Sequence, residues 1–205
     1  MARQHWVWLV VALTAMALAA TFVFVPASAP PVAGPLPTPF GWAAQLALAS
    51  GDGQRGLRDG PVLQARFADP YGIAVADDGT RYIADAGDNN RIRKLGVEGT
   101  VSTLAGSVEG FVDGVGTAAA FHTPSGIALD RAGNLYVADT GNHAIRKVTP
   151  QGVVTTLAGD GVAGSVDGPA AQARFNGPLG VAVDGAGNVF VADTYNDRIR
   201  RIGRD

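Results

Sequence analysis

Residues 126–148 read GIALDRAGNLYVADTGNHAIRKV, and nearly the same string returns at residues 180–202 as GVAVDGAGNVFVADTYNDRIRRI. A looser copy occupies residues 72–95 and carries one extra residue near Asp88. Two sets of side chains recur at intervals of 54 residues: Phe67, Phe121 and Phe175, and Asp85, Asp139 and Asp193. A fixed period of this size indicates repeated structural units that bury their apolar faces by stacking on one another.

Each copy predicts four short strands joined by tight turns. In the clearest copy the strands cover residues 126–130, 135–139, 144–148 and 153–157, and the segments between them are rich in glycine, asparagine and proline. β-Branched and aromatic residues favour strands, while glycine and asparagine supply the positive φ angles of hairpin turns. Because four antiparallel strands make one blade of a β-propeller, the sequence predicts an all-β propeller fold.

A long glycine-rich segment precedes the first strand of each copy. In the third copy, residues 171–175 predict a short helical turn that places Phe175 between blades, with Phe67 and Phe121 as its counterparts. An Asp-Gly pair recurs in these segments, at residues 59–60, 113–114 and 167–168. These pairs lack the dense carboxylate spacing of a calcium loop, so we interpret them as turn residues.

The repeated strings resemble NHL repeats, and the resemblance covers nearly everything from about residue 48 onward. It implies a β-propeller, and propellers of this family usually have six blades. Propellers of this kind serve as protein-binding, RNA-binding, sensor and enzyme domains. The resemblance is therefore specific for the fold and weak for the function.

The sequence accounts for about three four-stranded blades, at residues 52–104, 105–157 and 158–205, within a propeller region 45–205. The third copy stops before a fourth strand, and residues 45–51 resemble the fourth strand of the second copy, so they could supply the missing one. Closed propellers need about four to eight blades, so three cannot close a ring. The alternatives are a homodimer that completes a six-bladed ring, a fragment of a longer propeller, and an open arc.

The N-terminal residues 1–25 predict an apolar helix that is either a signal peptide or a transmembrane anchor. Residues 6–25 are uncharged and match the ~20 residues that span a bilayer, while Val25, Pro26 and Ala27 have the small-residue pattern of a cleavage site. Arg3 is the only charged residue before Asp52, which places the repeats outside the cytoplasm. The protein is thus expected to be membrane-anchored, or secreted or periplasmic if cleaved.

Composition narrows the remaining possibilities. Residues 26–44 are rich in proline and predict an extended linker. The absence of cysteine excludes disulfides, thiolate metal sites and cysteine catalysis. A formal net charge of −2 favours neither nucleic acid nor an acidic partner.

Two recurring sets of charged residues invite a functional interpretation. Asp85, Asp139 and Asp193 each end a strand and begin a turn, where a carboxylate caps backbone N–H groups, so we interpret them as structural. The third strands carry Arg93, Arg146 and Arg200, which could form a basic band that binds phosphates, anionic sugars or RNA. The competing interpretation is that these arginines form salt bridges to the recurring aspartates and cover neighbouring blades with their aliphatic stems.

No motif of catalysis or cofactor binding stands out. His122 and His143 each occur in one copy only, but they have no companion ligands and make a poor metal site. Neither a Gly-x-Ser-x-Gly elbow nor a phosphate-binding Gly-Lys-Ser/Thr loop is present. The sequence therefore predicts no catalytic residue and no cofactor, and a divalent metal has no motif in its support.

The sequence favours a non-enzymatic, extracytoplasmic binding or scaffold module. Its ligand, a protein or a carbohydrate, is expected on the long loops that gather on one face, and the N-terminal helix contacts the membrane if it is uncleaved. Nucleic acid is not expected as a partner. One alternative is a metal-dependent hydrolase or lyase with its site in the central channel, and another is the sensor portion of a larger envelope protein.

Overall fold

The computed structural model of this chain describes residues 44–203. The chain divides into a unit that ends at Ala47, of which the four described residues carry no secondary structure, and a unit that begins at Leu48 and contains every described strand. The strands are β1 (Gly60–Pro61), β2 (Pro70–Val75), β3 (Arg81–Asp85), β4 (Arg91–Leu95), β5 (Thr100–Ala105), β6 (Gly114–Val115), β7 (Pro124–Leu129), β8 (Leu135–Asp139), β9 (Ala144–Val148), β10 (Val153–Ala158), β11 (Pro178–Val183), β12 (Val189–Asp193) and β13 (Arg198–Ile202).

The strands form three antiparallel sheets, which we call blades 1, 2 and 3. Blade 1 has the order β1-β5-β4-β3-β2, blade 2 the order β6-β10-β9-β8-β7, and blade 3 the order β11-β12-β13. In each blade the main strands form a meander. In blades 1 and 2 a further two-residue strand, β1 or β6, lies at the edge beside the fourth main strand. The prediction of an all-β fold is confirmed, and residues 44–203 contain 3-10 turns but no α-helix.

The predicted strands of the second copy are found within two residues of their observed bounds. The two-residue strands β1 and β6 are an addition, because each lies in a loop segment and pairs with the fourth strand of its own blade. Residues 44–49 form no strand in the described chain, so the fourth strand that the sequence predicts there is not formed within a single chain. The helical turn predicted at residues 171–175 is a 3-10 turn at Ala170–Gln172.

The core lies between the blades. One cluster joins Tyr82 and Ile92 of blade 1 to Phe121, Ile127 and other apolar residues of blade 2. A second cluster repeats this contact one blade later and includes Tyr136, Ile145, Phe175, Val189 and Val191. Burying each large apolar side chain contributes about 1.5–3 kcal/mol, so the stacking of blades is the main source of stability.

The aromatic residues at the recurring phenylalanine position reach these clusters. Phe121 and Phe175 are buried, and Phe67 is partly buried because it packs on a smaller cluster at the outer side of blade 1. The predicted N-terminal helix and most of the proline-rich linker lie outside the described residues. Within residues 44–203 no helix has the length and apolar character needed to cross a membrane.

Candidate functional site

The loops of the three blades gather on two opposite faces because successive strands alternate in direction. We call one the loop face: it contains both ends of the long segments 51–69, 106–123 and 159–177 together with the turns after β3, β8 and β12. The middle of each of the first two segments runs along β5 or β10 towards the opposite face. Hydrogen bonds between the long segments and the turns hold the loop face together, as when the Asn142 side chain donates to the carbonyl of Gly110 at 2.8 Å. The opposite turn face contains the short turns after β2, β4, β7, β9 and β11.

The recurring aspartate lies beneath the loop face, at the end of the second main strand. Asp139 is fully buried and accepts hydrogen bonds from the His122 N–H at 2.8 Å, the Asn142 amide at 2.8 Å and the Arg146 guanidinium at 2.7 Å. Asp85 and Asp193 accept the equivalent three bonds in their own blades. This arrangement agrees with the structural interpretation of these residues, because each carboxylate ties the long segment to the turn.

The recurring arginine completes the same network. The Arg146 guanidinium also donates to the carbonyls of Ala120 and Val112, at 3.1 and 2.9 Å, and to the carboxylate of Asp113 at 2.7 Å. Arg93 makes the corresponding contacts in blade 1, and Arg200 makes them in blade 3. Each arginine therefore joins the buried aspartate to the Asp-Gly turn.

Of the two interpretations of Arg93, Arg146 and Arg200, these contacts agree with the salt bridges to the recurring aspartates and not with a basic band. The first two guanidiniums are fully buried and Arg200 is 10% exposed, so a ligand at the surface does not meet them. Each also lies over the recurring phenylalanine, at 5.1, 5.2 and 4.5 Å from the ring centre. The physical reason is that a buried arginine must be paired, and the period of 54 places two aspartates beside each one.

Burial and pairing act against each other on the pKa values of the network. Burial raises the pKa of the Asp139 carboxyl, while hydrogen bonds from Asn142 and the His122 N–H and the charge of Arg146 oppose that rise. At Asp113, burial also acts to raise the pKa, but hydrogen bonds from Arg146 and Thr156 outweigh it and hold the pKa below its usual value. Asp113 is consequently a carboxylate at neutral pH.

The two histidines take different positions. His122 lies on the loop face with its Nε2 atom 3.5 Å from a Glu109 carboxylate oxygen. The Nδ1 atom of His143 accepts a hydrogen bond from the Gly177 N–H at 3.0 Å, which joins blade 2 to blade 3. Among residues 44–203 no group of three or more His, Cys, Asp or Glu side chains has the proximity needed to hold a metal ion.

Apolar side chains lie exposed on the loop face at positions that vary from copy to copy. One position holds Leu57, Phe111 and Ser165 in successive copies, and another holds Gln54, Val108 and Val162. The exposed members are Leu57, Val108, Phe111 and Val162, and Tyr195 adds a 67% exposed ring in the turn after β12. Large apolar side chains are also exposed at or beside the described turn face, among them Val75, Val97 and Val153.

Sequence reasoning missed these exposed apolar residues, although a signal was present. Charged and nucleophilic groups are the usual candidates for a functional site, whereas the part of the loop face that differs between copies exposes Val, Leu, Phe and Tyr side chains. Comparing the three copies position by position would have found them, because a side chain that builds the repeat is retained and these are not.

Known proteins resemble this chain. A family model described as NHL repeat matches residues 121–148 and 175–202. The protein SUPPRESSOR OF QUENCHING 1, chloroplastic, of Arabidopsis thaliana is 37% identical over 166 residues, which cover 75% of this chain and 16% of that protein. NHL repeat-containing protein 2 of Bos taurus is 35% identical over 153 residues, which cover 67% of this chain and 21% of that protein. The chain thus corresponds to a small part of these curated relatives.

Among solved structures, an auxiliary nutrient binding protein from Bacteroides thetaiotaomicron is similar to this chain. The two share 33% sequence identity with a TM-score of 0.58, over 64% of this chain and 36% of that one.

Proposed function

We infer that this chain, which belongs to the NHL-repeat β-propeller family, is a non-enzymatic binding module that holds a protein ligand on its loop face. The observation that carries this proposal is the exposure of Leu57, Val108, Phe111, Val162 and Tyr195 on that face. Exposed apolar surface rimmed by polar residues is typical of protein interaction sites. The recurring charged residues are already engaged inside the blades and are not part of the proposed site.

Two of the exposed residues, Phe111 of blade 2 and Val162 of blade 3, belong to segments that contact each other on the loop face. The Phe111 ring of blade 2 lies against Gly161 in the long segment of blade 3, so closely that a β-carbon at Gly161 would come within 3.0 Å of the ring. Val162 follows directly in that segment. Aliphatic side chains contribute by the burial of apolar area, which favours a protein surface over a carbohydrate.

We propose further that the module acts outside the cytoplasm, on a membrane tether or after export. The support is the uncharged segment 6–25 after Arg3 and the proline-rich segment that follows it. An auxiliary nutrient binding protein among the similar structures agrees with a binding role.

Photo-crosslinking tests the proposed face. A photoreactive amino acid replaces Val162 on the loop face in the full chain. The variant is expressed in the native host, and the cells are irradiated. The control replaces Arg131, which is exposed on the turn face. We expect a discrete protein adduct at residue 162 and none at residue 131. Adducts at both positions, or at residue 131 alone, would contradict the loop face as the binding surface, and so would the absence of any adduct.

The enzyme alternative has a test of its own. The purified chain is titrated with Ca²⁺ and with Zn²⁺ while its thermal unfolding is recorded. A binding module without a metal site is expected to keep the same midpoint. A rise of several degrees at micromolar metal would favour a metal-dependent hydrolase or lyase instead, because a ligand that binds only the folded state raises the midpoint.

A further inference from the structure

The junctions between blades 1 and 2 and between blades 2 and 3 share two contacts. First, a glycine in β2 or β7 lies against the backbone of the next blade. A β-carbon on Gly72 would stand 2.4 Å from the Ser125 carbonyl oxygen, and one on Gly126 would stand 2.3 Å from the Leu179 carbonyl oxygen. Neither glycine has a positive φ, so the close approach is what requires it. Second, the side chain of the residue just before β4 or β9 accepts a hydrogen bond from a backbone N–H of the next blade.

That second contact has the same geometry at both junctions. The Asn90 side chain accepts the Thr123 N–H at 2.7 Å, and His143 accepts the Gly177 N–H at 3.0 Å. Asn90, His143 and their counterpart Asp197 all have the left-handed backbone conformation, with φ of 47°, 51° and 53°. Asn, His and Asp are the residues other than glycine that adopt this conformation most readily, and it gives the three side chains the same position in their blades.

The outer side of blade 3 repeats one half of this junction without a partner in the described chain. Gly180 stands where Gly72 and Gly126 stand, but the nearest atom to a β-carbon there is Ala192 Cβ at 3.2 Å. The Asp197 carboxylate accepts no hydrogen bond from residues 44–203. Ile199 is 75% exposed, whereas its counterpart Ile145 is buried.

The outer side of blade 1 carries the other half. Ile73 is 62% exposed and Val75 is 61% exposed, although the counterpart Ile127 is buried against blade 1. Within the described residues, the outer faces of blades 1 and 3 are therefore complementary in the same way as the faces that meet at the two interior junctions. Two such faces can meet only between copies of the chain or between parts of a larger ring.

Blade 3 also lacks a fourth strand in the described chain, and its third strand, β13, pairs with β12 alone. In blade 2 the fourth strand supplies Thr156, whose N–H and hydroxyl donate to Asp113 at 3.1 and 3.0 Å. Among residues 44–203, the equivalent Asp167 bonds only to Arg200, and its side chain is 81% exposed. A cavity of about 450 Å³ lies at this edge, lined by residues that include Asp167, Phe175 and Ile202.

The segment that ends at Gly51 has the features of the strand that is lacking. Gly51, Gly106 and Gly159 share positive φ angles of 104°, 96° and 101°. Their N–H groups donate to the carbonyls of the equivalent residues 62, 116 and 170, at 2.8, 3.0 and 3.0 Å. Gly106 and Gly159 directly follow β5 and β10, so residues 45–50 occupy the sequence position of a fourth strand. Leu46 and Leu48 in this segment are exposed and unpaired in the described chain.

We propose that residues 45–50 of one copy add as the fourth strand to β13 of a second copy, and reciprocally, so that two chains close one ring of six blades. Pairing equivalent to that of β10 with β9 sets Leu46 opposite Ile202, Ala47 opposite Arg201 and Leu48 opposite Arg200. The Leu48 N–H then donates to Asp167, and Leu46 fills the apolar end of the cavity. Closure removes both exposed sheet edges and both exposed apolar faces.

Disulfide trapping tests this register in the full chain, which has no cysteine of its own. The double variant A47C/R201C places two cysteines opposite each other across the proposed strand pair, within the ~4.4–6.8 Å Cα separation that a disulfide needs. We expect most of the oxidised protein to run as a dimer that reduction returns to single chains. The control variant A47C/R131C, with its second cysteine on the turn face, is expected to form no disulfide between chains and to run as single chains on a denaturing gel.

Other trapping results would overturn the proposal. A disulfide within one chain would mean that the segment adds to its own β13. A ladder of trimers and longer species would mean an open array. No crosslink, or equal crosslinking in the control, would mean that the segment does not reach β13.

A second measurement addresses the facing blades. Gly180→Ala adds a methyl group 3.2 Å from Ala192 Cβ in the single chain, so Ala192 must shift by a few tenths of an ångström. In the proposed junction the same methyl group would meet a backbone carbonyl much more closely, as a β-carbon would at Gly72 and Gly126. We expect the dissociation constant of the dimer, measured by light scattering over a dilution series, to rise at least tenfold. The control Gly185→Ala, whose β-carbon meets nothing closer than 3.8 Å, is expected to leave the dimer unchanged. A single chain per particle in the unmodified protein, or equal effects of the two variants, would overturn the ring.

Discussion

The interior of the blades and the loop face above it are built from the same repeats but obey different rules. Inside, the aspartate, arginine and phenylalanine of each copy keep their positions and their partners. On the loop face, positions such as the one that holds Leu57, Phe111 and Ser165 change from copy to copy. Recurrence therefore accompanies a structural role in this molecule, whereas departure from recurrence accompanies the surface that we propose as the binding site.

The largest effect is expected from the buried arginine of blade 2. Arg146→Met removes the charge between Asp139 and Asp113 and leaves Asp139 buried without its cation, which costs about 3–5 kcal/mol of unfolding free energy in comparable cases. Urea unfolding measures this cost. The exposed Arg131→Met serves as a control and is expected to change stability by less than about 0.5 kcal/mol. Equal small effects would mean that the network is not what holds the long segment.

A comparable loss is expected from the phenylalanine beneath that arginine. Phe121→Ala opens a cavity in the core between blades 1 and 2 and is expected to cost about 3–5 kcal/mol. Phe111→Ala is a matched control, because the Phe111 ring contacts the same guanidinium, 4.9 Å from its centre, but is 39% exposed. A cost below about 1 kcal/mol for Phe121→Ala would contradict the role of this ring as a core residue.

Much of this interior could be predicted from the sequence. The interval of 54 residues and the alternation of strands and turns predict the blades, and the position of Asp139 at a strand end predicts its bonds to backbone N–H groups. The partner of Arg146 was harder to assign. A strand rich in arginine has the same sequence pattern whether its arginines point to solvent or to buried carboxylates. Counting two recurring aspartates per recurring arginine was the signal that would have decided it.

Other features depend on information that no single repeat carries. The two-residue strand Gly114–Val115 has too few residues to show a pattern, and it forms because Val154 and Val153 pair with it from the far end of the blade. The exposed set on the loop face arises from the meeting of different loops, such as Phe111 with Gly161, and loop geometry is not encoded in strand periodicity.

A smaller effect is expected from Asp113, at the edge between the two regions, and it depends on pH. Because its hydrogen bonds lower its pKa in the folded chain, Asp113 contributes stability above its unfolded pKa of about 3.9 and loses that contribution as the pH falls through the folded pKa. The stability difference between the parent chain and Asp113→Asn should therefore be greatest near neutral pH and shrink below about pH 4. The control Thr155→Val changes a residue of β10 that makes no contact with Asp113, so its effect on stability should not depend on pH in this way. A difference that grew on acidification would contradict the lowered pKa.

The smallest effect on stability is expected on the loop face itself. Val162→Ser changes a side chain that is 50% exposed, so the unfolding free energy should shift by less than about 0.5 kcal/mol. Val191→Ser makes the same chemical change at a fully buried position of blade 3, where a hydroxyl replaces core contacts and a loss of about 1–3 kcal/mol is expected. If Val162→Ser destabilised the chain as much as Val191→Ser, the loop face would be a structural surface like the interior. A stable Val162→Ser chain that loses its crosslinked partner would instead separate binding from folding, because the side chain that departs from the repeat would then contribute to one and not to the other.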